Sequence, residues 1–110
     1  MALECIFCKI IAGIIPSQIV TETNELLVIK DIYPQATVHY LIIPKKHVID
    51  LMDLNDAQIA AEILFMAQKL GHDLSDKPAF RLITNNGAAA GQSVFHLHFH
   101  FLAGDNLSGF

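Results

Sequence analysis

The run His96-Leu97-His98-Phe99-His100-Phe101-Leu102 alternates imidazole with apolar side chains. Successive side chains of a β-strand point to opposite faces. As a strand, the run therefore sets His96, His98 and His100 on one side and Leu97, Phe99 and Phe101 on the other. At about 3.3 Å per residue the three imidazoles span roughly 13 Å. The apolar side can join a core, while the other side presents three groups that titrate near neutrality.

The rest of the chain supplies the sheet. Ile6 to Ala12 is apolar and is followed by Gly13 and Pro16, which reads as a short helix with a glycine cap. Gln18 to Thr23 and Leu26 to Ile32 form a hairpin across Asn24, and Val38 to Ile43 follows as a third strand. Asn55-Asp56-Ala57-Gln58 has the form of a capping box with Gln58 at the third helical position. Ile59, Ile63, Met66 and Leu70 then recur at helical spacing, and Gly71 closes the helix. Phe80 to Thr84 and Val94 to Leu102 read as two more strands. Short links between strands favour hairpins over βαβ units. The expected class is α+β: an antiparallel sheet of about five strands, with the helices packed on one side.

Composition narrows the function. The chain has 110 residues, 53% of them hydrophobic and 16% charged, which suits one domain over 1–110 and excludes a disordered, solvating chain. Its net charge of −4 argues against a nucleic-acid binder, which would carry a basic footprint. No apolar run approaches the roughly 18 residues of a membrane span. Glu4, rather than Lys or Arg, precedes the apolar start, so no signal peptide is read. A soluble protein of a reducing, cytoplasmic compartment is expected, where Cys5 and Cys8 read as half of a metal site or as a redox pair.

Three histidines on one strand face admit two chemistries. They can hold a metal, or one imidazole can act as a nucleophile while its neighbours orient and protonate. Just upstream, Asn85-Asn86-Gly87 and Gly91-Gln92-Ser93 form a loop of small residues. Its glycines allow close approach, and its N–H groups and hydroxyl can cradle a phosphate. A phosphate loop feeding three histidines favours chemistry at phosphorus over a single three-histidine metal site.

The heptapeptide resembles the His-φ-His-φ-His-φ-φ signature of the histidine triad proteins. Cys5-Ile6-Phe7-Cys8-Lys9-Ile10-Ile11, Asp31-Ile32, His39 with Ile43-Pro44-Lys45-Lys46-His47, and Gly91-Gln92-Ser93-Val94 resemble the Hint branch, the histidine triad nucleotide-binding proteins. The resemblance covers nearly the whole chain. It implies a half-barrel antiparallel sheet with two helices, a homodimer, and hydrolysis of purine nucleoside phosphoramidates, in which adenosine monophosphate is linked through nitrogen to an amine. By position, His98 resembles the nucleophile that forms a nucleotidyl-imidazole, and His96 the residue that orients it. His100 and His39 resemble phosphate and leaving-group contacts, with a protonated His100 delivering the proton. Asn85, Gly91, Gln92 and Ser93 match the phosphate side, Asp31 the ribose acceptor, and Phe7, Ile10, Ile29 and Ile32 the slot for the base. Phe7 and Ile10 also suit plain core packing.

In some members two N-terminal cysteines, the histidine after Pro-Lys and the first triad histidine form a zinc set. Here these are Cys5, Cys8, His47 and His96. Such a zinc would be structural, and catalysis itself needs no cofactor. His72 has no such context. After Leu102 the chain departs from the branch: Asp105 stands where many members have Arg, and the Trp-Pro-Pro-Gly end is absent. The resemblance also leaves room for a nucleotide-binding regulator with incidental hydrolysis. A dinucleoside polyphosphate hydrolase of the Fhit branch is the other reading; Gln92-Ser93 before the triad favours Hint.

Overall fold

Four consecutive buried residues, Leu26, Leu27, Val28 and Ile29, determine the layering. A strand buried at successive positions must be covered on both faces. The computed structural model, which describes residues 4–107, shows what covers it. In chain order the elements are α1 (Ile6–Ile11), β1 (Ile19–Glu22), β2 (Leu26–Lys30), β3 (Val38–Pro44), a 3-10 turn (Leu51–Asp53), α2 (Ala57–Leu74), β4 (Phe80–Ile83), a second 3-10 turn (Ala88–Ala90) and β5 (Phe99–Ala103). The strands make one antiparallel sheet in the order β1-β2-β3-β5-β4.

Leu26, Val28, Ile42 and Phe101 pack against Ile59, Ile63, Met66 and Leu70 of α2. The alternate residues Leu27, Ile29, Leu41 and Ile43 pack against Phe7 of α1, with Ile10 and Ile11 at the margin. The helices thus lie on opposite faces, not on one. The reason is the unbroken apolar run of β2, which gives each helix a surface to cover.

Two helix ends were misplaced by sequence and one was not. Gly13 follows α1 with φ +77°, and Gly13 N–H and Ile14 N–H donate to the carbonyls of Ile10 and Lys9. This is the Schellman closure expected of a glycine just past a helix. At α2 the cap is Asp56 rather than Asn55; its carboxylate accepts from the N–H groups of Gln58 and Ile59 at 3.0 and 3.1 Å. Gly71 does not end α2, which continues to Leu74. A Cβ at Gly71 would lie 2.9 Å from the Phe80 ring, so this glycine serves the contact between α2 and β4.

β5 is shorter than expected and starts at Phe99. Leu97 N–H donates to Val48 O at 2.8 Å, outside the sheet ladder, so His96 and His98 sit in the segment entering the strand. The alternation of faces persists there, with Leu97 in the α2-side core. In the ladder, His100 pairs with Leu41 and Ile83, and His39 with Leu102, which puts both histidines on the α1 face.

Phe101 is fully buried and stacks between Tyr40 and Phe80. Phe101→Ala should lower the unfolding free energy by about 3–5 kcal/mol in a urea titration, the usual cost of emptying such a site. A loss below about 1 kcal/mol would contradict this packing.

Candidate active site

His98 is oriented by a backbone group. Its Nδ1–H donates to the carbonyl of His96 at 2.8 Å. Because a neutral imidazole carries one proton, Nε2 then keeps its lone pair. Two further contacts hold the ring and its segment. The Phe7 and His98 ring centroids stand 4.9 Å apart, edge to face. Thr84 Oγ1–H donates to the carbonyl of His98 at 2.8 Å, tying the entering segment to the end of β4. His96 thus meets His98 through its carbonyl rather than its ring.

The His96 ring faces away from that site. It is 0% exposed, and its Nε2–H donates to Pro44 O at 2.7 Å. Burial, the largest influence, lowers its pKa, and His47 and His98 lower it further, against the pull of the Pro44 carbonyl. The bare Nδ1 lies 3.2 Å from Cys5 Sγ, 3.6 Å from Cys8 Sγ and 3.1 Å from His47 Nδ1. Cys8 Sγ lies 3.2 Å from His47 Nδ1. A tetrahedron built with zinc bond lengths has edges of about 3.3–3.8 Å, close to these separations. A carbonyl on the far nitrogen is also the usual way a ligating histidine is fixed. The donor set therefore fits a four-coordinate metal and leaves no open position.

Asp31, His39 and His100 form a second convergent group. His39 is 6% exposed; its Nε2 lies 2.8 Å from His100 Nδ1 and 3.4 Å from Asp31 Oδ2. Its other nitrogen, Nδ1, accepts the backbone N–H of Gln35 at 3.0 Å. That bond requires a lone pair on Nδ1, which assigns the proton to Nε2, and a protonated nitrogen cannot ligate a metal. The geometry separates the two clusters: the donors of one fit a metal, and the other holds a proton between its rings.

Burial lowers the pKa of His39, opposed by Asp31. Burial likewise takes His100 down to about 4, assisted by His98 and His39 and again opposed by Asp31. At pH 7 His100 is therefore neutral in the free protein, unlike the protonated imidazole expected from sequence.

The remaining residues surround this centre unequally. In the loop, the Gln92 side chain is committed internally: Oε1 accepts from Gly87 N–H at 2.8 Å, and Nε2 donates to Ile49 O and Val94 O at 2.7 and 3.1 Å. Gly87 and Gly91 hold φ of +92° and +100°, conformations glycine adopts freely. Asn85 lies beside Gly91. Ser93 is exposed and lines a concavity of about 430 Å³ with Cys5 and Phe95. Phe7 and Ile29 are core residues of the α1 face, and Ile10 borders them. Ile32 is 79% exposed. Asp31 stands where two grooves of about 550 and 280 Å³ meet, one toward Pro16 and Ile32 and the other toward Thr37 and His39. Its Oδ1 accepts Tyr33 N–H at 2.7 Å.

The family model described as the HIT domain matches residues 12–107. The chain belongs to the HIT domain family. It is similar to an uncharacterized HIT-like protein of Synechocystis, 45% identical over 106 residues that cover 94% of this chain and 93% of that one. The solved HIT family hydrolase of Clostridium thermocellum is 45% identical with a TM-score of 0.93, over 100% of this chain and 98% of that one. A Zn-bound histidine triad family protein of Mycobacterium smegmatis is 32% identical with a TM-score of 0.84, covering 96% of this chain and 78% of its own.

In this HIT domain the groups that sequence reading missed are mostly backbone: the Pro44 and His96 carbonyls and the Gln35 N–H. Backbone groups leave no residue-type signature. The departure at Asp105 has a local role: its carboxylate accepts from Thr37 N–H and Oγ1–H at 2.8 and 2.6 Å, and these bonds lower its pKa. Residues 108–110 of the divergent terminus lie outside the described residues.

The pKa shifts have a definite sign. The unfolded chain protonates its histidines near 6.5, whereas folded His100 does so near 4. Between those values the unfolded state binds more protons, so stability falls as pH drops from about 6.5 to 4. Urea midpoints should decline over that window, and the decline should be smaller in His100→Asn. Equal declines would show that His100 ionises normally.

Proposed function

We propose that this HIT domain is a nucleoside phosphoramidate hydrolase of the Hint type, acting through a covalent nucleotide on His98 Nε2. The observation that carries the reading is the His98 Nδ1–H bond to the His96 carbonyl at 2.8 Å. In the neutral ring it leaves the Nε2 lone pair free to attack. It also stabilises the positive charge that the ring acquires once Nε2 is bonded to phosphorus.

In the first step the Nε2 lone pair attacks the α-phosphorus and the P–N bond breaks. Its electron pair leaves with the amine nitrogen, which takes a proton from the Ser93 hydroxyl, and that hydroxyl recovers a proton from solvent. In the second step water attacks phosphorus, the P–Nε2 pair returns to His98, and the water proton is released with the nucleoside monophosphate. His100 faces the phosphoryl oxygens, and Asn85 and the N–H of Ser93 share their charge, while the N–H groups of Gly91 and Gln92 hold the turn by donating to Ala88 O and Gly87 O. The free lone pairs of Asp31 receive the ribose hydroxyls. The apolar surface of Phe7, Ile10, Ile29 and Ile32 takes a purine.

The same proposal includes a structural zinc on Cys5, Cys8, His47 and His96. When bound it would hold the His96 ring, and so the carbonyl that orients His98; it supplies no step of the reaction. A homodimer is supported by Leu64 and Phe65, 61% and 65% exposed on α2, and by β4, an open edge of the sheet. Among the described residues no helix is long and apolar enough to cross a membrane.

Steady-state assays with adenosine and guanosine phosphoramidates of several amines test the reading. Turnover should fall at least about a thousandfold in His98→Ala, as expected for loss of a nucleophile. Ser93→Ala should lower kcat by roughly a hundredfold, the scale of general acid catalysis, with KM little changed. An unchanged kcat with a larger KM would contradict the Ser93 assignment, and activity in His98→Ala would contradict the mechanism. Metal analysis should find one zinc per chain, lost in Cys8→Ser together with some stability.

A further inference from the structure

The buried pair His39–His100 has a direction built into it. Gln35 N–H occupies His39 Nδ1, so the His39 proton is on Nε2. That Nε2–H points at His100 Nδ1, 2.8 Å away, which must accept it. A neutral His100 then carries its own proton on Nε2. The turn before β3 is shaped to supply the first link. Asp31 Oδ1 accepts Tyr33 N–H at 2.7 Å, Gln35 Nε2–H donates to Tyr33 O at 3.1 Å, and Asp31 N–H donates to His39 O at 3.0 Å. Asp31 Oδ2, 3.4 Å from His39 Nε2, favours keeping the proton there.

We propose that His39 is a positioning residue that locks His100 into the Nε2–H tautomer, making His100 a fixed hydrogen-bond donor to the phosphoryl oxygens rather than the acid for the departing amine. At 6% exposure His39 is withdrawn from substrate and acts through its neighbour. To serve as the acid, a neutral His100 would have to become anionic. A cationic His100 would instead set its Nδ1–H against the Nε2–H of His39. His39 cannot give way by moving its proton to Nδ1, because Gln35 N–H is already there. The proton for the amine must therefore come from a donor other than His100, and Ser93 is the donor that the phosphoramidase reading names. The proposal rests on the phosphoramidase reading for its chemistry, but the tautomers exist without substrate and can be read separately.

Long-range ¹H–¹⁵N NMR on the ¹⁵N-labelled full chain at neutral pH, without substrate, reads each ring nitrogen. The result expected is a proton on Nε2 of both His39 and His100 and a bare Nδ1 on both; a proton on His100 Nδ1 overturns the lock. His39→Gln, whose amide N–H can replace the Nε2–H, should keep the His100 tautomer and hold kcat within about threefold. His39→Leu should let His100 populate both tautomers and cost kcat on the order of tenfold, the worth of one hydrogen bond. An unmixed His100 tautomer in His39→Leu also overturns the lock, and NMR dispersion shows whether that variant folds. Rates across amines of rising basicity test the second half. The deficit of Ser93→Ala should grow with amine basicity, while that of His100→Asn should be the same for every amine. A His100→Asn deficit that grows with basicity would make His100 the acid and end the proposal. If no phosphoramidate is turned over, the phosphoramidase reading fails while the NMR result still decides the tautomer.

Discussion

A single hydrogen bond, from His98 Nδ1–H to the His96 carbonyl, ties His98 to the buried cluster of Cys5, Cys8, His47 and His96. Its acceptor belongs to a residue whose ring is fully buried between Pro44 O and two thiols. The orientation of His98 is thus inherited from the packing of β3 and α1 behind it. A histidine on an exposed strand would sample several rotamers and both tautomers. Here the backbone selects one of each before substrate arrives, which is the preorganisation that electrostatic catalysis requires.

The sheet separates two histidine systems that are adjacent in sequence. His96 presents a bare nitrogen to Cys5 and Cys8, as a metal ligand must, and His47 Nδ1 converges on the same point. His39 and His100 are joined by a shared proton and backed by a backbone N–H, which suits donors and excludes ligands. His98, between them, bonds to the His96 carbonyl of the first system and sets its ring 5.2 Å from that of His100 in the second. Three imidazoles spaced two residues apart would repel one another if all were charged. Burial removes that conflict by keeping His96 and His100 neutral.

Alternation in residues 96–102 was legible because period two is a property of side chains. It correctly assigned the histidine face, although the ladder begins only at Phe99. The hydrophobic run of β2 carries equal information: burial at successive positions requires cover on both faces, which is why the helices lie on opposite sides rather than on the one side that the hairpin pattern suggests. Gly71 was read as a helix end because sequence does not show the Phe80 ring against it. The resemblance placed Asp31 and His39 as ligand contacts. What joins them, Gln35 N–H and a proton on a particular nitrogen, is written in backbone geometry that no residue type announces.

In the proposed reaction His98 Nε2 becomes covalently bonded to the nucleotide. Rapid acid-free quenching of the full chain with an adenosine phosphoramidate, followed by peptide mass mapping, observes that bond directly. A transient adenylyl group on His98, formed and lost at rates compatible with turnover and absent in His98→Ala, is the result predicted. Turnover with no adduct, or an adduct on another residue, would contradict it.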